Sequence, residues 1–556
     1  MRSGRVLAAV AGLVGIFGVT AAFAATAVTV GWGTAITVPG IAAFSKPANA
    51  SANLNTVSCA GIRSCAAGGY YTDRAHKVQA FVAAENNGVW GKAIRVPGTG
   101  GLNLGGDAVV TPVSCGSAGN CAAGGFYYDG SLHRHTFVVE EKNGAWGSAI
   151  EVPGTAALNT GGDGPAVDAL SCPSAGNCVA TGGLFLAEEK NGVWGSAFDL
   201  PGGAALHSIF FGGRAVSCPS AGNCAVGGSY LDGSGGGARP GQFVVEEKNG
   251  IWGNAIELPG IATLDVDRGA LMSSLSCGAV GDCAAGGYYL DGSGGAQAWV
   301  ASEKNGVWGN AIEVPGTAAL KASLLQVSSV SCPAVGTCVA GGGYLSSTRK
   351  YRGFVVNEKN GVWKQAIKLT GSRAFNHSSD WVNSISCATA RSCAAGGPGF
   401  VVNKTSGVWR KAIKVPLEVD SISCAKAGWC AAGGREDGKA LVVTEKNGIW
   451  RKAMEVPGSA ALNVGGSAQV SSVSCSAAGS CAAGGYYNDG SHDQAFVVTE
   501  TNGVWSDAAE VPGSADLNLG GDARVAAVSC ATANSCVAGG FYTDGSDFRQ
   551  AFVTSP

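Results

Sequence analysis

Every one of the 20 cysteines in this 556-residue chain belongs to a pair with five residues between its members. The pairs are Cys59/Cys65, Cys115/Cys121, Cys172/Cys178, Cys218/Cys224, Cys277/Cys283, Cys332/Cys338, Cys387/Cys393, Cys424/Cys430, Cys475/Cys481 and Cys530/Cys536. An even count at one spacing predicts ten local disulfides and no metal site. Zinc wants four ligands at closer spacing, and the six histidines (His76, His133, His135, His207, His377, His492) do not recur beside the pairs. Successive first cysteines lie 56, 57, 46, 59, 55, 55, 37, 51 and 55 residues apart, so the chain is ten copies of one module, numbered here by its cysteine pair. Modules of this length bury a core only against their neighbours, which restricts the fold to propellers or solenoids.

Module nine shows the pattern clearly. Val470-Ser-Ser-Val-Ser-Cys475 alternates at period two and reads as a first strand. Cys481 to Tyr487 reads as a second strand, Gln494 to Glu500 as a third and Val504 to Val511 as a fourth. Asn502-Gly503 lies between the last two, and Asn143-Gly144, Asn191-Gly192, Asn249-Gly250, Asn305-Gly306, Asn360-Gly361 and Asn447-Gly448 occupy the same place elsewhere. Asn-Gly supplies the positive φ that both central positions of a tight hairpin need. Four antiparallel strands per module is the composition of a propeller blade. The disulfide then closes the first hairpin, joining the end of one strand to the start of the next, for about 2.4 kcal/mol each in the chain-entropy model. Ala-Ala-Gly-Gly in the second strand is small enough to let neighbouring blades approach. One tryptophan opens each fourth strand (Trp32, Trp90, Trp146, Trp194, Trp252, Trp308, Trp363, Trp409, Trp450, Trp505), and this regularity predicts core between blades rather than a ligand platform. The paired Glu140-Glu141, Glu188-Glu189 and Glu246-Glu247 before the turns read as solvated edges.

The two ends complement each other. Gly31 to Pro39 carries a fourth-strand motif with no strands before it, and Gln550 to Val553 is a third strand with no fourth after it. The expected fold is therefore all-β: a single closed β-propeller of ten four-stranded antiparallel blades, with residues 31–39 completing the last blade in a 3+1 closure. Two five-bladed rings are the alternative, because ten exceeds the usual four to eight blades. In the shortest module, Cys387 to Cys424, the loop between second and third strands shrinks to Gly396-Gly-Pro-Gly399.

Ahead of the repeats, Arg2 and Arg5 precede an uncharged run from Val6 to Phe23, and Ala22-Phe23-Ala24 fits a signal-peptidase site. The reading is a signal peptide at 1–24 and a repeat domain at 25–556, exported to the extracellular space or cell surface, with no membrane span after cleavage. An uncleaved N-terminal anchor is the alternative. A net charge of −2 argues against a nucleic-acid partner.

The repeating Ser-Cys-x5-Cys-x-Ala-x-Gly module resembles the secreted repeat β-propellers of bacteria, over about residues 31 to 553. The resemblance implies fold more than function, since propellers include lectins, adhesion modules and glycosidases.

In such a blade the tight turns share one face. The loops between second and third strands share the other with the linkers between modules, and binding favours these longer, more varied loops. They repeat an aromatic-then-acidic element (Tyr71 and Asp73, Tyr128 and Asp129, Tyr487 and Asp489, Tyr542 and Asp544). The linkers repeat Asn103 with Asp107 and Asn518 with Asp522. Rings against sugar CH groups and carboxylates accepting hydroxyls would suit a carbohydrate. The competing reading is turn chemistry, in which Asp and Asn cap their own loops. Asp265-Val-Asp267 lacks a full calcium loop, and His133-x-His135 reads as a surface pair. No catalytic motif or non-repeated pair of carboxylates is visible. The expectation is a monomeric, cofactor-free, non-enzymatic binding or adhesion protein, with carbohydrate the first ligand class and an extracellular protein surface the second. A glycosidase-type propeller is the enzymatic alternative.

Overall fold

The computed structural model describes residues 32, 36–38, 51–155, 164, 166–183, 185–202, 206, 208–232, 239–267, 269–293, 295–320, 322–369, 379–533 and 535–555. All belong to one compact unit, Trp32–Pro556. The signal segment at 1–24 lies outside the described residues.

All ten cysteine pairs are bonded as predicted, with Cα atoms 3.9–4.1 Å apart. In module nine the strands are Ala468–Ala477, Ser480–Asn488 and Asp493–Thr501. Cys475 stands directly opposite Cys481, so the bond spans a register pair of the first hairpin. The same holds for Cys59 and Cys65, Cys115 and Cys121, Cys277 and Cys283, Cys387 and Cys393, Cys424 and Cys430, and Cys530 and Cys536. In modules three, four and six the register shifts at the first cysteine, so Cys172 and Cys178, Cys218 and Cys224, and Cys332 and Cys338 are bonded without being ladder partners. Each of those first cysteines precedes a proline (Pro173, Pro219, Pro333), which has no N–H to give to a ladder.

The disulfides do more than the spacing alone shows. They close the hairpin, and the second cysteine of every pair is also buried: Cys65, Cys121, Cys178, Cys224, Cys283, Cys338, Cys393, Cys430, Cys481 and Cys536. Each shares a buried cluster with residues of a neighbouring module. Cys121 meets Ala66 and Val82, Cys178 meets Ala122 and Val138, and Cys338 meets Ala284 and Val300. Cys393 meets Val339 and Val355, Cys430 meets Ala394 and Val401, and Cys536 meets Ala482 and Val497. Cys65 meets Val537 and Val553 of module ten. The bond is therefore also part of the junction core, because the second strand is the one that the neighbouring module covers. These cysteines are structural and form no accessible site.

The Asn-Gly turn carries its predicted positive φ, 54° at Asn502 and 80° at Gly503. Its Gly503 N–H donates to the Gly479 carbonyl of the first hairpin's turn at 3.1 Å, which gathers both tight turns on one face.

The fourth strand differs from expectation. It is two short pieces, Val504–Trp505 and Ala509–Glu510, both paired to the third strand. The residue after the tryptophan turns its N–H back onto the third strand (Ser506 to the Thr499 carbonyl, 2.8 Å), and pairing resumes three residues later. The linkers are not all loop either. Thr99–Leu102, Ile261–Leu264, Ser459–Leu462 and Ser514–Leu517 each form a single helical turn. Modules seven and eight are fused more tightly than their sequence suggests. Ser392–Thr405 runs continuously through the second and third strand positions. Ile413–Lys426 serves as outer strand of module seven and first strand of module eight. The sheet therefore continues across both modules where the linker is missing.

Neighbouring modules meet through a repeated set of contacts. The serine before the first cysteine accepts the N–H of the next module's first cysteine, as in Ser58 with Cys115 (3.2 Å), Ser276 with Cys332 (3.1 Å) and Ser474 with Cys530 (3.1 Å). The inner strand of a blade has no partner strand on that side, so this hydroxyl satisfies an amide left over by the sheet. The first glycine of Ala-Ala-Gly-Gly is where the next blade lands. A Cβ at Gly68 would lie 2.5 Å from Val110 Cγ1, and one at Gly484 2.7 Å from Val525 Cγ1. The second glycine faces a bulge inside its own module: a Cβ at Gly485 would lie 1.8 Å from the Gln469 carbonyl. The tryptophans occupy the same junctions. Trp90 packs with Val537, Ala551 and Val553 of module ten, and Trp505 with Ala431 and Val442 of module eight.

The chain ends meet as well. Ile36–Thr37 pairs antiparallel with Arg549–Thr554, and the Val38 N–H reaches the Ala551 carbonyl at 3.0 Å. Ser535 of module ten accepts the Arg63 N–H of module one at 2.6 Å, as Ser64 accepts the Gly119 N–H of module two at 2.7 Å. A Cβ at Gly539 would meet Leu54 at 3.0 Å, the counterpart of Gly68 and Val110.

The glutamates before the turns are the clearest correction. Glu85, Glu141, Glu189, Glu247, Glu303, Glu358, Glu445 and Glu500 are buried. Each of the first five stands opposite the tryptophan of its hairpin, not on a solvated edge. Across three junctions carboxyl meets carboxyl: Glu140 with Glu189, Glu188 with Glu247 and Glu246 with Glu303. Burial, then the neighbouring carboxyl, pushes Glu189, Glu247 and Glu303 well above the usual carboxylate range. A lysine lies over each shared site, as Lys190 does 2.7 Å from Glu188 and 3.8 Å from Glu247.

Candidate functional site

The loop face is built on a recurring chain of hydrogen bonds. In module one Asp73 Oδ1 accepts the N–H groups of Ala75 and Lys77 (2.8 and 3.0 Å), and its Oδ2 accepts Gln79 Nε2 at 2.8 Å. Gln79 Oε1 accepts Asn103 Nδ2 at 3.1 Å, and Asn103 Oδ1 accepts the Gly106 N–H at 3.1 Å. Module nine repeats it with Asp489, Gln494 and Asn518 (2.9 Å for each link). In module ten Asp544 accepts Ser546, Phe548 and Gln550. The Asp caps its own turn, the Gln rises from the third strand, and the Asn ends the helical turn of the linker.

The predicted ligand-binding residues thus occupy four kinds of position. Asp73, Asp129, Asp489, Asp544, Asn103 and Asn518 spend these hydrogen bonds inside the fold, and the two asparagines are buried. Backbone N–H groups, that of His133 foremost, hold Asp129 down at about 2. Tyr71, Tyr487 and Tyr542 are buried at the blade interface; Tyr487 donates to Glu510 at 2.8 Å, and Tyr542 lies 2.9 Å from Thr37 Oγ1. Burial pushes the Tyr71 phenol up to about 12, which keeps it protonated. Tyr128 is displaced by one residue from this set. Tyr127 takes the buried position, and Tyr128 lies half-buried beside Phe126. The register shows this and the aligned Tyr-Tyr-Asp spelling hid it. Burial raises Asp107, while Asp522 pairs with Arg524 and Arg549 at 2.7 and 3.3 Å.

His135 also differs from its reading as a surface pair. It stands where Gln79 stands in module one, stacks on Tyr127 (5.2 Å between centroids, 16°) and reaches Asp129 Oδ2 at 3.1 Å. Its partner His133 remains exposed. Arg352 fills this position in module six and pairs with buried Asp380 at 2.6 Å.

Module four breaks the chain. Gly241 occupies the glutamine position, and a cavity of about 450 Å³ opens beside it. Its walls are Tyr230, Asp232, Pro240, Glu257, and Ile261 and Val266 of the next linker. Asp265, which replaces the asparagine, also reaches it, but its carboxylate accepts the N–H groups of Gly269, Ala270 and Leu290 at 2.9–3.0 Å. That is a structural role and not half of a calcium loop. The Tyr230 ring leans over Gly241, where a Cβ would lie 2.3 Å from it. Burial first, then Glu257, raises the Tyr230 phenol. Carboxylates at the mouth, one ring and aliphatic walls can accept hydroxyl or ammonium hydrogens and cover apolar CH groups. A glycine in a hydrogen-bonding column was the signal in the sequence, readable only once the column was known. Among the described residues no group of three or more His, Cys, Asp and Glu is placed to hold a metal ion.

No protein-family model and no curated protein matches the sequence. Solved structures similar to it include Sqt1 from Chaetomium thermophilum, at 12% identity over 58% of this chain and 78% of that one, with a TM-score of 0.33. A Hadza microbial sialidase is 10% identical over 76% of each chain, with a TM-score of 0.26. A polysaccharide lyase described as an ulvan lyase is 10% identical over 74% of this chain and 93% of that one, with a TM-score of 0.32.

Proposed function

We propose that the ten modules close into one ten-bladed propeller, exported after removal of residues 1–24, and that it is a non-enzymatic extracellular binding protein whose module-four cavity takes a sugar. Closure is supported by the pairing of Ile36–Thr37 with the last strand and by the Ser535–Arg63 hydrogen bond. Deleting residues 31–39 is expected to lower the melting temperature sharply; an unchanged value means that the ends do not share a blade. Export fits ten disulfides, which persist in oxidising compartments. No helix among the described residues is long and apolar enough to cross a membrane.

The observation that carries the binding reading is the cavity at Gly241. Its volume falls in the range of small-ligand sites, about 300–1,000 Å³. Asp232 and Glu257 would accept hydroxyl hydrogens while Ile261, Val266 and the Tyr230 ring cover one sugar face. A glycan array on the mature protein tests it, with Gly241→Gln to refill the column and Asp232→Asn to remove an acceptor. The expected result is a glycan signal that both variants lower at least about tenfold, the size of one lost charged hydrogen bond. A signal indifferent to both but lost in Tyr128→Ala moves the site to the arc of first and last modules. No signal at all moves the function to protein partners.

A further inference from the structure

Charge is distributed very unevenly around the modules. Residues 349–455, covering the third strand of module six through the fourth of module eight, hold 18 of the 37 Lys and Arg but only 8 of the 39 Asp and Glu. This sector is therefore +10 in a chain of net charge −2. Much of the excess sits on the outermost strand of each blade. In modules two to five the residue after the strand's tryptophan is glycine (Gly147, Gly195, Gly253, Gly309); in modules six to eight it is Lys364, Arg410 and Arg451. The backbone role is unchanged: the Arg451 N–H donates to the Thr444 carbonyl at 2.9 Å, as the Gly147 N–H donates to Glu140 at 2.8 Å. No packing demand therefore explains the larger side chain. Lys368, Lys411 and Lys452 add to the same strands, and all six cations are exposed. None of the six is in an ion pair among the described residues, whereas Lys142, Lys190 and Lys248 of the other modules each rest on a glutamate. Like charges gathered without counter-charges repel one another, so this rim costs stability until an anion covers it.

We propose that the outer rim of modules six to eight binds an acidic polysaccharide chain. Lys364, Arg410 and Arg451 recur at the position after the tryptophan, one per module, so they form a row at a regular interval, which suits a linear polymer whose anions also repeat. Exposed aliphatic residues do not mark the sector. Val193, Ile251 and Val307 stand out from modules without these cations just as Val408 and Ile449 do here, so charge alone distinguishes it and a lipid surface has no special claim. Trp363, Trp409 and Trp450 of the same strands are buried and offer no ring to stack a base, which weighs against a single-stranded nucleic acid. This surface is separate from the module-four cavity and does not depend on it.

The test measures binding of sodium polygalacturonate and of heparin to the mature protein by titration calorimetry across a salt series. The variant replaces Lys364, Lys368, Arg410, Lys411, Arg451 and Lys452 with glutamine, and Arg74→Gln/Lys92→Gln serves as a control elsewhere on the ring. Affinity for at least one polyanion is expected to fall steeply with salt, with a log–log slope of about 4 for six ion contacts. The sixfold variant should bind at least about tenfold more weakly with its melting temperature unchanged or raised, and the control should bind as wild type. Equal binding by wild type and sixfold variant, or no binding at low salt, overturns the proposal. Tighter binding to phosphatidylglycerol vesicles or to DNA than to both polysaccharides reassigns the surface and overturns the polysaccharide reading.

Discussion

The tight-turn face and the loop face are built from the same ten modules but keep different amounts of the repeat. On the turn face the disulfide, the paired turns, the buried tryptophan and the serine-to-amide contact return almost unchanged, because each satisfies a need of the backbone or the junction that every blade has. On the loop face the Asp–Gln–Asn column depends on three side chains from three segments. It accepts His135, Arg352 or Gly241 at its centre with the strands unaltered. Contacts to backbone constrain sequence in every copy, and contacts among side chains leave room for one copy to become a site.

That contrast can be broken most forcefully at a junction. Trp505→Ala removes a ring buried between modules eight and nine and leaves Thr444 without its 2.8 Å indole donor. It is expected to destabilise by about 3–5 kcal/mol in chemical denaturation. A loss below about 1 kcal/mol would mean that the turn face is not the rigid one.

Removing the Cys475–Cys481 bond by paired alanine substitution is expected to cost about 2 kcal/mol by the loop-entropy estimate, read from the same denaturation curves. A cost confined to module nine in hydrogen exchange, with module four unaffected, would show that the disulfides act locally.

The buried glutamates give the turn face a pH dependence near neutrality. Burial raises Glu141 to about 7, above its unfolded value. The native state therefore holds a proton that the unfolded chain gives up. This contribution is fully present below about pH 4.5 and is lost as pH rises through 7. Between pH 5 and 8 wild type should lose stability, and Glu141→Gln should lose less, by about 1 kcal/mol or more. Parallel profiles for the two proteins would remove Glu141 as a source.

The smallest effect is expected on the loop face. Asp489→Ala opens one exposed turn and frees Gln494, for about 1 kcal/mol or less. A loss as large as that of Trp505→Ala would erase the distinction between the faces.

The sequence by itself determined the module, the first three strands of its typical copy, the disulfide pairs, the turn type and the place of the tryptophans. These follow from local rules: period-two alternation, Asn-Gly conformation and cysteine spacing act within a few residues. It also singled out the loops where Tyr, Asp and Asn recur. Only the tertiary structure decided what those residues do. Asp73, Gln79 and Asn103 lie in three segments, and their hydrogen-bonded chain exists only after the linker folds over the third strand. The glutamates follow the same rule, since Glu140-Glu141 looks solvated along the chain and is covered by the next module. Cysteine spacing likewise told which sulfurs join, and only packing showed that Cys121 or Cys393 is core of a junction. Burial by a neighbouring module, about 50 residues away in sequence, leaves no mark in local pattern, and it placed the cavity beside Gly241 and left the basic rim of modules six to eight uncovered.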